Sequence, residues 1–211
     1  MTEIALNGAE SLVMTLAGAG VDTCFSNPGT SEMHFVAALD SIAGVRPILG
    51  LFEGAVTGMA DGYGRMAGKP ACTLLHLGPG LANGLANLHN ARRASTPIVN
   101  IVGDHATYHA QYDAPLASDI AGFARPVSGW LHSSVSARTV AADGARAAHP
   151  MASSRSATSM TKVPPTCSLV SANGPSWTTG PPSARVTVVV ADDCWRTSAL
   201  TSAPASSSAR A

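Results

Sequence analysis

The strongest constraint on the fold is the run ACTLLHL at residues 71–77. Apolar residues fill most of it, with Lys69-Pro70 before it and Gly78-Pro79-Gly80 after it. A half-exposed strand alternates apolar and polar residues, whereas a near-continuous apolar run of this length reads as a strand covered on both faces. A parallel sheet between two layers of helices supplies that cover.

The preceding and following segments fit such a sheet. Residues 5–19 predict a helix through Leu6, Leu12, Val13 and Leu16 that ends at Gly18 and Gly20. Residues 21–25 predict a strand, 26–30 a turn, and 31–42 a helix capped by Thr30 or Ser31, with Glu32 placed to favour its N-terminus. A strand at 45–51 leads into a helix that carries Glu53 in its first turn and stops near Gly68. A helix follows from residue 78 to 94, then a strand at 97–102, PIVNIV. Residues 107–134 read as loop and 136–148 as a closing helix. Strands alternating with helices of this length predict an α/β fold, a parallel sheet with helices on both faces.

Composition divides the chain near residue 149. All six Ile, all four Phe and all three Tyr precede residue 124. From Pro150 onward, 21 of 62 residues are Ser or Thr, and only eight are Leu or Val. Residues this poor in large apolar groups cannot offset the entropy of ordering a backbone. The expectation is a domain at 1–149 followed by a disordered or poorly ordered tail at 150–211 that is not a native domain. One island in the tail, residues 185–191, has the composition of a strand but is too short to make a domain.

Thirteen basic residues balance thirteen acidic ones, so charge gives no case for nucleic acid or an anionic membrane. No apolar run approaches the roughly 18 residues that span a bilayer. The start, MTEIALNGAE, lacks the basic segment of a signal peptide. Cys24, Cys72, Cys167 and Cys194 form no CxxC, so a reducing cytoplasm is expected.

In an open parallel sheet, ligands bind at the carboxyl ends of the strands. The predicted strands bring four loops to that rim: Asn27-Pro28-Gly29-Thr30, Phe52-Glu53, His76 with Gly78-Pro79-Gly80, and Gly103-Asp104-His105. Together they offer an acid, an imidazole, a hydroxyl and an amide, which suits general acid–base chemistry. Glu53 opens a helix unusually rich in small residues, with Gly54, Ala55, Gly58, Ala60, Gly62 and Gly64. Such a face lets something approach the backbone, and a meeting surface between two such domains is one reading. Glu53 is then either a proton-handling acid or a charge that favours the helix dipole. His76 is either a site residue or a satisfied core histidine. His105 and His109 read as loop residues rather than metal ligands. The spacing Gly78-x-Gly80-x-x-x-Gly84, with Asp104 after the next strand, leaves a nicotinamide-dinucleotide alternative open, one residue out of register.

Three stretches in order, NPGTSEMHF at 27–35, LFEGAVTGMADGYGRMAGKPA at 51–71 and LLHLGPGLANGLANLHNARRASTPIVNIVGDHA at 74–106, resemble the N-terminal pyrimidine-binding domain of thiamine-diphosphate enzymes. The resemblance is to the acetolactate synthase large-subunit group, and benzoylformate decarboxylase is similar in the same places. It implies thiamine diphosphate as cofactor and Glu53 as the acid that hydrogen-bonds the aminopyrimidine and promotes ylid formation. It implies cofactor binding by Asn27, Pro28, Gly29 and Thr30 and by Gly78, Pro79, Gly80 and Asn83. By similarity to benzoylformate decarboxylase, His76 falls on an active-site histidine and Thr30 on an active-site serine. Phe52 stands where many synthases have a histidine.

The family acts on small 2-keto acids, among them pyruvate in branched-chain amino-acid biosynthesis. Some members also carry FAD, which nothing in this sequence supports. In the family, a further domain holds the diphosphate and a magnesium ion through a Gly-Asp-Gly motif. This sequence offers only Ala142-Asp143-Gly144 and Gly103-Asp104-His105. The expectation is a truncated or frameshifted member, inactive alone, that forms a homodimer or pairs with a full-length homologue.

Overall fold

The computed structural model describes residues 6–152 and the strand at 186–191. Five strands follow in order: β1 (Thr23–Asn27), β2 (Arg46–Leu49), β3 (Ala71–Leu75), β4 (Ile98–Gly103) and β5 (Trp130–Ser134). The sixth is β6 (Val186–Ala191). They form one sheet in the order β2-β1-β3-β4-β6-β5, with every pairing parallel. The helices are α1 (Gly8–Gly18), α2 (Met33–Ser41), α3 (Glu53–Ala67), α4 (Leu77–Arg93), α5 (Ile120–Ala124) and α6 (Val140–Ala152).

The 71–77 run behaves as its composition requires. All five residues of β3 are buried, and successive side chains go to opposite layers. Cys72 and Leu74 join a core with Leu12, Leu16, Phe35 and Ala147, from α1, α2 and α6. Ala71 and Leu75 join the other core with Val56, Ala60, Leu81, Leu88 and Ile120, from α3, α4 and α5. Central β4 divides the same way, Val99 and Ile101 against Ile98 and Val102. Strand β3 is shorter than predicted: it stops at Leu75, and His76 takes the N-cap position of α4.

Two elements differ from the sequence reading. Within the stretch read as loop at 107–134 lie α5 and the edge strand β5. The island from the tail is β6, and it pairs with β4 on one side and β5 on the other. Among the described residues β5 pairs with no other strand, so WLHSS becomes a strand through a partner more than fifty residues later. Residues 153–185 and 192–211, with Cys167 and Cys194 and most of the predicted tail, lie outside the described residues.

The small-residue face of α3 is used inside the chain. A Cβ at Gly58 would stand 3.1 Å from the Asn87 amide, and one at Gly64 would stand 2.4 Å from the Thr96 methyl. Across the same contact, a Cβ at Gly84 of α4 would stand 2.8 Å from the Thr57 methyl. Asn87 Nδ2 also donates to the Gly54 carbonyl at 2.6 Å. Gly58 and Gly84 therefore let α3 and α4 pack closely, and Gly64 makes room for Thr96 beyond the end of α4. Gly68 closes α3 in the left-handed conformation, φ 62°, that favours glycine.

Candidate functional site

Strand order reverses between β1 and β3, since the chain moves outward from β1 to β2 and then returns to the other side at β3. Such a switch point leaves a crevice at the carboxyl ends of the two strands. The turn after β1 and the start of α4 line it, and Gly29 of NPGT packs against the His76 ring that precedes LGPG.

Glu32 is the centre of this crevice, although its place in the sequence suggests only a helix-dipole role. It is 1% exposed. Its Oε2 accepts from the Gly29 backbone N–H at 2.7 Å and lies 2.8 Å from His76 Nδ1. Oε1 is buried without a hydrogen-bond partner among the described residues. A Cβ at Gly103 would stand 1.6 Å from Oε1, so the carboxyl group occupies the space a side chain there would need. A Cβ at Gly29 would stand 2.3 Å from the His76 ring. Its φ is −116°, so glycine is required at 29 for room and not for backbone freedom. The spacing Gly29-x-x-Glu32 is a visible signal of a capping carboxylate; the histidine it also holds comes 44 positions later.

Leu77, next to His76, has φ 52° and is 1% exposed. A leucine in this left-handed region costs about 1–2 kcal/mol and persists only where packing enforces it. The strain falls where strand turns into helix and sets the direction in which His76 leaves the backbone.

Glu53 lies on the other side of the same loop. It is 8% exposed at the first position of α3. Asn83 Nδ2 donates to its Oε2 at 3.0 Å. A Cβ at Gly80 would stand 3.0 Å from Glu53 Oε1 and 3.4 Å from His76 Cβ, so Gly80 separates the acid from the histidine. Oε1 accepts no hydrogen bond among the described residues. The crevice thus presents an unbonded oxygen of a largely buried carboxyl group and an imidazole, with Gly80 between them.

The remaining predicted residues are less engaged. Thr30 and Pro79 are exposed, and Asn27 and Pro28 are partly buried with no side-chain hydrogen bond among the described residues. A Cβ at Gly78 would stand 2.2 Å from Ser118. Gly78, Gly80 and Gly84 therefore make room for Ser118, Glu53 and Thr57 of the chain itself, and the dinucleotide alternative loses its support. Beyond Gly103, burial pushes the Asp104 carboxyl above its ordinary range, against a smaller lowering by the backbone N–H of His105. The rings of His105 and His109 lie 5.7 Å apart, but no group of three or more His, Cys, Asp and Glu among the described residues is placed to hold a metal ion. Among the described residues, no helix is long and apolar enough to cross a membrane.

A parallel sheet with helices on both faces and a buried acid beside its switch point places the chain among the doubly wound α/β domains. Residues 6–135 match the family of thiamine pyrophosphate enzymes, N-terminal TPP binding domain, and the chain belongs to that family. It is 62% identical over 151 residues to a Mycobacterium tuberculosis protein bearing the name acetolactate synthase large subunit IlvX, covering 72% of this chain and 29% of that one. It is 38% identical over 122 residues to benzoylformate decarboxylase of Pseudomonas aeruginosa, covering 57% of this chain and 23% of the relative. A thiamine diphosphate-dependent 4-hydroxybenzoylformate decarboxylase from Rhodococcus jostii superimposes with a TM-score of 0.71 at 25% identity, over 90% of this chain and 31% of that one. The chain thus spans less than a third of the length of these relatives.

Proposed function

We propose that this chain supplies the pyrimidine-binding half of a thiamine-diphosphate site in an acetolactate synthase-like 2-keto acid decarboxylase or carboligase. The observation that carries the reading is Glu53, buried at the switch point with Oε2 bonded to Asn83 and Oε1 left open beside Gly80. An aminopyrimidine needs such a group: a carboxyl group in a largely buried site whose free oxygen can hold or share a proton with a ring nitrogen. Bound thiamine diphosphate supplies the electron sink for decarboxylation. His76, held at Nδ1 by Glu32, directs Nε2 to the substrate side, and Thr30 offers a hydroxyl there. The substrate class is a small 2-keto acid such as pyruvate, which would place the reaction in branched-chain amino-acid biosynthesis. FAD has no part in this reading.

We assign the grip on the diphosphate and Mg2+ to a further domain or a partner chain. Leu49, Leu51 and Phe52, which lead directly into Glu53, are 65%, 89% and 52% exposed. Apolar exposure of this kind beside a site favours burial against a partner, either a second copy or a full-length homologue. The buried free thiols Cys24 and Cys72 suit a reducing cytoplasm.

The test is to purify the chain and assay pyruvate with thiamine diphosphate and Mg2+, alone and with a full-length acetolactate synthase. The expected result is cofactor binding that Glu53→Gln abolishes, no turnover by the chain alone, and co-purification with the longer enzyme. Clear turnover without a partner would overturn the half-site reading, and cofactor binding unaffected by Glu53→Gln would overturn the role of Glu53.

A further inference from the structure

α4 carries Gly80, Asn83, Gly84 and Asn87 at spacings of three and four residues, so they share one face of the helix. That face is pressed on α3. Gly84 abuts Thr57, and Asn87 Nδ2 donates to the Gly54 carbonyl at 2.6 Å. One turn before Asn87, Asn83 Nδ2 reaches Glu53 Oε2 at 3.0 Å. Asn83 is exposed on its outer side, but helix packing on either side of it fixes where its amide can reach. Glu53, on a flexible two-methylene stem, has several rotamers of similar energy. An amide anchored to one carboxyl oxygen selects among them.

We infer that Asn83 is a positioning residue for Glu53, holding Oε2 so that Oε1 alone is presented to the aminopyrimidine. The inference rests on the pyrimidine-binding reading and assigns Asn83 to the acid rather than to direct contact with the cofactor. An amide suits this task because it donates at any pH and carries no charge. Lysine or arginine at the same place would hold the carboxyl group ionised and oppose its keeping a proton.

The test uses the full chain with 13C at the glutamate side-chain carboxyls, the Glu53 signal being assigned by its loss in Glu53→Gln. Asn83→Leu keeps the size and removes the donor, and Asn83→Asp turns the donor into an acceptor. In the ligand-free chain, both variants are expected to shift and broaden the Glu53 signal. Asn90→Leu, at an exposed position further along α4, should leave it in place. An unchanged Glu53 signal in the two Asn83 variants overturns the inference, as does failure of both to fold by circular dichroism, which would make Asn83 a residue of the fold alone. Thiamine diphosphate with Mg2+ is then titrated into each labelled protein mixed with unlabelled full-length acetolactate synthase, which supplies the grip on the diphosphate. The wild-type Glu53 signal should move, with roughly three- to tenfold weaker apparent affinity in the Asn83 variants. Equal affinity overturns the role of Asn83. A wild-type chain that gives no response, while the ligand-free effect of the variants persists, overturns the pyrimidine-binding reading and reduces the Asn83 bond to a structural one.

Discussion

Glu32 Oε2 and His76 Nδ1 lie 2.8 Å apart, joining the turn after β1 to the start of α4. The same oxygen accepts from Gly29 N–H at 2.7 Å, which leaves the carboxyl group little freedom to turn. If Glu32 is the acceptor in this contact, His76 carries its proton on Nδ1 and Nε2 is left as an acceptor. Glu32 thereby holds the ring of the histidine in place.

Glu32→Leu should therefore lose more than burial. The Gly29 amide and His76 Nδ1 both lose their acceptor, and the cost is about 2–3 kcal/mol, as for a buried hydrogen bond to a charged group. Urea unfolding measures that loss, and 15N spectra of the His76 ring should show a mixture of tautomers. A single Nδ1–H tautomer in Glu32→Leu would mean that another group orients the ring.

Three glycines separate a requirement for space from a mere tolerance. Gly103→Ala and Gly29→Ala place a methyl 1.6 Å from Glu32 Oε1 and 2.3 Å from the His76 ring. Each should destabilise by about 1–3 kcal/mol or more, because groups held by hydrogen bonds must move. At Gly62, within α3, an added methyl would meet nothing within 4 Å. Gly62→Ala should instead stabilise by about 0.5–1 kcal/mol through helix propensity. Thermal unfolding of the three variants checks the opposite signs.

The parts of the site legible in the sequence were those that follow from strand ends. The apolar run at 71–77 implied a strand covered on both sides, and from it the rim carrying NPGT, Glu53 and HLGPG could be placed. Glu32 is easily misread because its local position already has a sufficient explanation at a helix start. Its buried partner, His76, belongs to another loop, and no local pattern reports that contact. Asn83 had a visible clue in the three- and four-residue spacing of Gly80, Asn83, Gly84 and Asn87, but which helix that face met depended on the sheet. WLHSS carried no strand signal because three of its five residues are polar and its neighbour in the sheet is remote in sequence.

Away from the site, Asp22 links β1 to the end of α3. Its carboxylate is bonded to Lys69 and accepts from Tyr63 Oη at 2.6 Å. Burial acts to raise its pKa and is the largest single influence, but hydrogen bonds from Lys69, Tyr63 and Thr23 together outweigh it, so the net shift is downward. A lowered folded-state pKa gives stability that is present above the unfolded value, about 3.9, and lost as pH falls through the folded value. The Asp22 side chain is 44% exposed, so solvent limits the effect. Wild type should lose melting temperature below pH 4 more steeply than Asp22→Asn. Parallel acid limbs for the two proteins would show that this cluster contributes no pH-linked stability.

The tail tests how far the domain extends. Val188 pairs with Asn100 of β4 and with Leu131 of β5, so β6 has a neighbour on each side. Proline in such a strand removes a ladder donor where both edges are in use. Val188→Pro should cost about 1–3 kcal/mol through the lost ladder donor, whereas Val188→Thr keeps that donor and should cost less. If residues after 149 were dispensable, both variants and a chain ending at residue 152 would unfold with the wild-type midpoint. If β6 completes the sheet, the shortened chain leaves the β4 edge open and β5 without a neighbour. It should then aggregate or lose its cooperative transition, as followed by light scattering and urea unfolding.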